Sequence, residues 1–273
     1  MQRINVYSNQ LSQSKTIKKK VIKILKNEGF TITDINPELI IVIGGDGTML
    51  SSVRKYVDSN TSFLSINTGN LGFLSGLHVE DIDRLPELIK EDKFNKKEYP
   101  LLNVFAKTVT KKIIKSYCFN DTIIKNELPR VMEALIYINN QPFNYFTGDG
   151  LIISTAIGST GYAIWANGSA IDHSLDAMQL TPLVPNDARM NRPLKNSIIM
   201  PLDTRIDIKI LKSYKRAIVS SCDGKNLSND YIDHISINKS DKNVTILNAY
   251  SQEYVTLFKR KIIDKNINRY LED

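Results

Sequence analysis

The run Ile40-Ile41-Val42-Ile43-Gly44-Gly45-Asp46-Gly47-Thr48 constrains this chain more than any other feature. Apolar β-formers lead straight into glycines wrapped around one aspartate, and a helix-compatible segment, Met49 to Val57, follows. Strand, glycine turn, helix is how α/β proteins present backbone N–H groups and a helix N-terminus to phosphate. Gly44, Gly45 and Gly47, lacking Cβ atoms, let the main chain approach an anionic ligand and adopt positive φ. Asp46 is the odd member, because an acid in an anion cradle is repelled by its own ligand. It reads as a base, a hydroxyl-binding group or a ligand to a phosphate-bound cation. The competing reading is a tight turn whose aspartate caps the next helix.

Around this run the first hundred residues alternate strand and helix signals. Arg3 to Tyr7 reads as a strand and Ser14 to Glu28 as an amphipathic helix with Ile17, Val21, Ile22, Ile24 and Leu25 inward. Glu38 to Ile43 is a near-continuous apolar strand of the parallel-sheet kind. Phe63 to Ile66 is another strand, ending at the turn Asn67 to Phe73, and Pro86 suits a helix start. This predicts an open α/β layer with ligands beyond the carboxyl ends of its strands.

After Tyr99-Pro100 short β-patterned runs dominate: Leu101 to Phe105, Ile113 to Phe119, Ala134 to Ile138, Phe143 to Phe146, Ser197 to Met200, Ile206 to Leu211, Ala217 to Ser221, His234 to Ile237 and Val244 to Leu247. Turn-rich pieces such as Asn139 to Pro142 and Asn238 to Asn243 separate them. The expected fold class is therefore an α/β domain over residues 1–98 followed by a β-rich, sandwich-like domain over 99–255. The last segment, Lys259 to Leu271, is helical or irregular, and 256–273 returns to the first domain.

Composition removes several alternatives. No apolar run approaches the ~20 residues that span a bilayer, and the start MQRINVYSNQ lacks a signal-peptide core. A cytoplasmic protein with no membrane partner is expected. Cys118 and Cys222 are too few for a disulfide framework or a metal cluster. The net charge of +7 suits polyanionic partners such as nucleotides. Its basic residues lie in short dispersed groups, among them Lys18 to Lys20, Lys111-Lys112, Lys215-Arg216 and Lys259 to Lys261, without a nucleic-acid-binding signature. Solvated surface accounts for most of them, and no nucleic-acid partner is expected.

A second chemical cluster runs from Gly148-Asp149-Gly150 through Ser154-Thr155 to Gly158-Ser159-Thr160-Gly161-Tyr162. Glycines, hydroxyls and one acid in such density suit a sugar or nucleotide site. A Gly-rich turn between strands, with Ser159 or Thr160 capping a helix through Tyr162 to Ala166, is the alternative.

Together the two clusters resemble the NAD kinase family. The resemblance rests on Gly44-Gly45-Asp46-Gly47-Thr48, on Asn67-Thr68-Gly69-Asn70-Leu71-Gly72-Phe73, and on the Gly148 to Tyr162 block. It continues through Leu175-Asp176-Ala177, Thr181-Pro182 and Arg192-Pro193-Leu194 to Asp223-Gly224. The first motif is shared with diacylglycerol-type lipid kinases and phosphofructokinases; the long second block is particular to NAD kinases.

The resemblance implies phosphorylation of the 2′-hydroxyl of the adenosine ribose of NAD by ATP or polyphosphate. A divalent cation such as Mg²⁺ arrives on the donor, with no protein metal site. It implies Asp46 as general base and Gly44, Gly45, Gly47 and Thr48 as the donor-phosphate cradle. NAD would be bound by Asp46, Gly47, Phe73, Leu74, Asn120, Asp121, Asp149, Ser159, Thr160, Gly161, Tyr162, Trp165 and Asp223. It implies a homodimer or homotetramer in which NAD is shared between domains and in part between subunits.

Three positions depart from the family pattern. Asn120-Asp121 stands where most members carry Asn-Glu, shortening the carboxylate's reach by one methylene. Trp165 replaces a small hydroxyl; turned inward it stacks on a ring, turned outward it packs at a boundary. Thr147 precedes Gly148 where other members carry basic or polar groups. Asp223-Gly224 is first a turn pair and second a ligand-side acid. His78, His173 and His234 lack ligand spacing and are expected on the surface or satisfied locally. A lipid or sugar kinase sharing the phosphate cradle, and a non-catalytic NAD-binding module, are the other functional readings.

Overall fold

The computed structural model describes residues 1–68, 72–187, 192–215, 217–250 and 253–264. Gly69, Asn70 and Leu71 of the second motif, Arg216, and residues 265–273 of the final segment lie outside them. The chain divides into two compact units, Met1–Tyr99 with Asn243–Asp273, and Pro100–Lys242.

The first unit is a parallel sheet flanked by helices. Arg3–Ser8 lies between Thr31–Ile32 and Leu39–Ile43, and Leu39–Ile43 pairs in turn with Ser62–Asn67, all parallel. Every residue of Leu39–Ile43 is fully buried, as a strand covered on both faces must be, which is why it is apolar without alternation. The helix Ser12–Asn27 buries Ile17, Val21 and Leu25, one residue per turn, against this sheet, while its lysines face outward. It stops at Gly29, whose φ of +85° lets Phe30 N–H reach Leu25 O (3.0 Å) and Gly29 N–H reach Lys26 O (3.2 Å). These two bonds satisfy carbonyls that the helix end leaves open.

The second unit is built from antiparallel strands. Its axis is Gln141–Thr155, which pairs with Met132–Ile138, Asp121–Asn126 and Ala177–Pro185 along its length. Ile218–Cys222 extends the sheet beyond Asp121–Asn126, and Ile206–Ile210 extends it beyond Met132–Ile138. Inward residues of these strands, including Phe146, Leu151, Ile153, Met178, Leu180, Ile206 and Ile208, form one core.

Three features differ from the sequence reading. Gly148 and Gly150 lie inside the continuous strand Gln141–Thr155, not in a turn between strands. They are glycines because neighbouring strands press on them. A Cβ on Gly148 would stand 2.6 Å from the Phe146 ring, and one on Gly150 would strike Ile124 O. The polar stretch Asn238 to Asn243 is likewise no turn, because Ile232–Asn248 is a single strand. Its first half pairs antiparallel with Ile206–Lys209, and Thr245–Leu247 pairs parallel with Ser62–Leu64. This second pairing joins 243–250 to the first unit, so the second unit ends at Lys242 rather than at 255.

Candidate active site

The first group of site residues follows the strand Leu39–Ile43. Gly44 has a φ of +151°, and a Cβ there would collide with the Thr48 hydroxyl. This position requires glycine. Gly45 and Gly47 do not adopt positive φ; what they contribute is open space, since a Cβ on either would meet nothing within 4 Å. Gly45 caps the helix Asp46–Tyr56 with extended backbone (φ −95°, ψ −173°), so the exposed glycine backbone and the helix N-terminus coincide. Asp46 itself is not the cap. It occupies the first turn, where an acid is stabilised by the helix dipole.

The Asp46 carboxylate is held in place from outside its helix. Gly72 approaches so closely that a Cβ there would overlap Asp46 Oδ1, and Phe73 N–H points at Oδ2 from 3.4 Å. Lys261 forms an ion pair with the same Oδ2, with its ammonium 4.4 Å from the centre of the Phe73 ring. The sequence places Lys261 in a short basic group expected on solvated surface; the structure turns it onto Asp46. No short-range signal announces the pair, since 215 residues separate its members. Phe73 is half-buried beside this pair, whereas Leu74 is buried in the strand-end packing, its carbonyl accepting from Ser65 Oγ.

The second group gathers in the other unit around Asn120 and Asp121. Asp223 and Gly224 form a hairpin turn with φ of +47° and +74°. The Asp223 carboxylate turns back to accept N–H groups from Phe119 (2.9 Å), Asn120 (2.7 Å) and Asp121 (3.3 Å), and lies 3.4 Å from Cys118 Sγ. Turn and site are thus one device, in which Asp223 positions the Asn120-Asp121 backbone. Burial pushes the Asp223 carboxyl above its ordinary range despite these donors. Asp121 is pushed up to about 7, first by burial and then by the facing Asp223 carboxylate, against a hydrogen bond from Tyr162 N–H. Burial likewise pushes the Cys118 thiol up.

The turn Ile157–Thr160 packs on this pair. Thr155 N–H donates to Asn120 O (2.9 Å), and a Cβ on Gly158 would overlap that carbonyl. Gly158→Ala is therefore expected to lower unfolding free energy by about 1–3 kcal/mol, the usual cost of overpacking. A lower denaturant midpoint at unchanged slope would register the effect. A Cβ on Gly161 would lie 3.5 Å from Asp121 Oδ2 and 3.7 Å from Asn120 Nδ2. The Asn120 Oδ1 atom is buried without a hydrogen-bond partner, an acceptor left open beside the carboxylate.

Other expected contacts separate from this centre. Ser159 is fully buried and its hydroxyl is used internally, donating to Ala156 O (2.6 Å) and accepting from Ile171 N–H (2.9 Å). Thr160 donates to Ile157 O (3.2 Å), and Thr147 to Asn186 O (2.7 Å). Tyr162 separates two open cavities. One, of about 450 Å³, has Trp165, Pro182 and Lys195 in its walls; the other, of about 400 Å³, has Asp149, Lys125 and Arg130. Trp165 is 75% exposed, the outward alternative, and Asn120 and Asp121 line neither cavity. Val184, shared by both walls, holds a φ of +41°, strained for a β-branched residue. His173 is buried, His234 is half-buried beside Asp207, and His78 packs on Tyr250.

Among the described residues, no three His, Cys, Asp or Glu side chains converge as metal ligands, and no helix is long and apolar enough to cross a membrane.

The two regions that hold these groups both match domains of one known protein family. Residues 1–94 match the ATP-NAD kinase N-terminal domain, and residues 120–249 match the ATP-NAD kinase C-terminal domain. The NAD kinase of Finegoldia magna is 31% identical over 252 residues, covering 89% of this chain and 92% of that protein. The NAD kinase of Streptococcus mutans is 32% identical over 254 residues, covering 91% and 90%. In fold the chain is similar to yeast NADH kinase complexed with NADH, with a TM-score of 0.85 at 18% identity over 97% of this chain and 88% of that one. It is also similar to the Archaeoglobus fulgidus NAD kinase in complex with ATP, with a TM-score of 0.71 at 19% identity over 99% of each. With both domain models matched in order and relatives above 30% identity along nearly their whole length, the chain belongs to the NAD kinase family.

Proposed function

We propose that this chain is an NAD kinase that transfers the terminal phosphoryl group of ATP, or of polyphosphate, to the 2′-hydroxyl of the adenosine ribose of NAD, giving NADP. The observation that carries the reading is the Asp46 carboxylate at a helix N-terminus, flanked by the open glycines Gly45 and Gly47 and backed by Gly72.

A ribose hydroxyl is a weak nucleophile. A carboxylate within hydrogen-bond reach assists it by taking its proton as the new P–O bond forms. The terminal anhydride P–O bond breaks as that bond forms, and the nucleoside diphosphate leaves with the electron pair. Gly45, Asp46 and Gly47 offer backbone N–H groups to the donor phosphates. The N–H groups of Gly44 and Thr48, expected in the same cradle, already donate to Ile66 O (3.1 Å) and Gly45 O (2.9 Å). A divalent cation carried on the donor phosphates would supply positive charge that offsets their repulsion of Asp46.

In the second unit Asn120 and Asp121 accept hydrogen bonds from ribose hydroxyls or the adenine amino group, through the open Asn120 Oδ1 and the Asp121 carboxylate. Asp149, Thr160, Gly161, Tyr162 and Trp165 complete the contacts offered by this unit. In the first unit Phe73 remains a candidate contact beside Asp46, whereas Leu74 is buried and offers no surface to a ligand. Asp223 and Ser159 act one layer behind, holding the backbone on which those contacts stand. The same reading makes the enzyme a cytoplasmic homodimer or homotetramer, a state that sedimentation equilibrium reads.

The lipid or sugar kinase reading is not favoured, because residues 120–249 match the NAD kinase C-terminal domain. A coupled assay for NADP formation from NAD, ATP and Mg²⁺ tests the proposal. NADP is the expected product. Well-folded protein that binds NAD without turnover, with polyphosphate also offered as donor, would overturn it in favour of a binding module.

A further inference from the structure

Lys261 is the middle residue of a π-helical turn, Lys259–Ile263, that follows the short helix Tyr254–Phe258. Single π-turns are wide, re-aim side chains and occur often at functional sites. Here the turn delivers the Lys261 ammonium to Asp46 Oδ2 and over the face of Phe73. Phe73 in turn stacks on Tyr254 (6.2 Å between ring centres), and Tyr254 packs on Phe258 (5.9 Å). The segment that carries Lys261 is therefore docked on the residue that Lys261 covers. The side chain retains only 24% of its exposure.

This arrangement is paradoxical for a resting base. An ammonium bound to Asp46 Oδ2 occupies one of the two carboxylate oxygens that could take the acceptor's proton. A phosphoryl donor resolves the conflict, since it brings several negative charges to the same helix N-terminus. The motif Gly44 to Thr48 contains no lysine of its own. Arg54 and Lys55 lie in the last turn of the helix, about 12 Å along its axis from Asp46. Lysine is a compact point charge on a flexible stem, able to change partner by side-chain rotation alone.

We propose that Lys261 is the donor-phosphate cation of this enzyme, resting on Asp46 when the donor is absent and moving to the non-bridging oxygens of the transferred phosphoryl group when it binds. Its departure leaves Asp46 free to hydrogen-bond the acceptor hydroxyl. The hydroxyl proton then goes to Asp46, the new O–P bond forms as the terminal anhydride P–O bond breaks, and Lys261 keeps all its protons. The inference rests on the kinase reading above.

The test compares wild type with Lys261→Met, which keeps the apolar stem over Phe73, and with Lys261→Arg, which keeps the charge. Lys261→Gln serves as a second neutral variant should the methionine variant fail to fold. Steady-state constants for ATP and NAD are measured beside calorimetric binding of the magnesium complex of a non-hydrolysable ATP analogue. For the neutral variants, kcat/KM for ATP and analogue affinity should each fall on the order of 10–10²-fold, the scale of a charge-assisted hydrogen bond. KM for NAD should stay within about twofold, and arginine should restore most of the loss.

Unchanged ATP constants would overturn the proposal. So would a rise in kcat, which would make Lys261 an inhibitory latch, or an equal rise in KM for NAD, which would make it pocket wall. Wild-type protein that makes no NADP would instead count against the kinase reading, while the analogue-binding arm still reads Lys261 separately.

Discussion

Asp46→Asn is expected to cut turnover by a factor on the order of 10²–10⁴, the usual contribution of a positioned general base. That corresponds to roughly 3–5 kcal/mol of transition-state stabilisation. The amide has the same shape, so Gly72 can still pack on it, and its oxygen can still accept from Phe73 N–H. The substitution removes the charge that pairs with Lys261 and with the helix N-terminus. Both partners are partly exposed, so the stability effect should be about 1 kcal/mol or less. NAD affinity, read by calorimetry, should remain near wild type while kcat collapses. Near-normal turnover in a folded variant would remove Asp46 from the proton transfer and leave it a helix-terminal acid.

Asp121 supplies the second large effect, and it runs in opposite directions for stability and function. Its carboxyl is pushed up to about 7 by burial and by Asp223. For an acid with a raised folded-state pKa, folding binds a proton more tightly than unfolding does. Stability from this site is therefore greatest below pH 4, falls as pH rises through the interval from about 4 to 7, and stays low above it. The span corresponds to about 4 kcal/mol as an upper scale.

Asp121→Asn removes the charge but keeps an oxygen for Tyr162 N–H. It should raise the melting temperature by several degrees at pH 8 and by much less at pH 4.5. Catalysis should move the other way. A neutral amide accepts hydroxyl hydrogen bonds less strongly than a carboxylate, so KM for NAD should rise about tenfold at pH 8 with kcat less affected. The wild-type KM for NAD should also improve between pH 6 and 8 as Asp121 ionises, a trend absent from the asparagine variant. Equal melting temperatures for the two proteins across this range would show that Asp121 is not held against its own charge.

Much of the architecture was legible because it is local. The strand Leu39–Ile43, the helix starting in the glycine motif and the helix around Pro86 follow from apolar pattern, turn chemistry and proline position. Where the reading failed, local chemistry was overruled by pairing. Polar residues 238–243 carry turn propensity, yet they lie in one strand whose two halves pair with different partners. Gly148 and Gly150 have the composition of a turn and sit in mid-strand because Leu183 O and Ile124 O approach too closely for a side chain. Asp121–Asn126, a strand of the same sheet, carries no clear strand signal because its alternation is weak and it opens on the acid of the site.

By itself the sequence determined the strand–glycine–helix unit around Asp46, the change to β-rich structure after Tyr99, and the family whose motifs recur in order from Gly44 to Gly224. These are encoded in short windows, where residue type directly limits backbone conformation and chemistry. Only the tertiary structure decided which candidates meet. It turned Ser159 inward, made Asp223 the brace of Asn120 and Asp121, left Trp165 exposed, and brought Lys261 onto Asp46. The reason is that burial, pKa shifts and ion pairs depend on distances between residues remote in the chain, which sheet pairing and core packing set and no single window records.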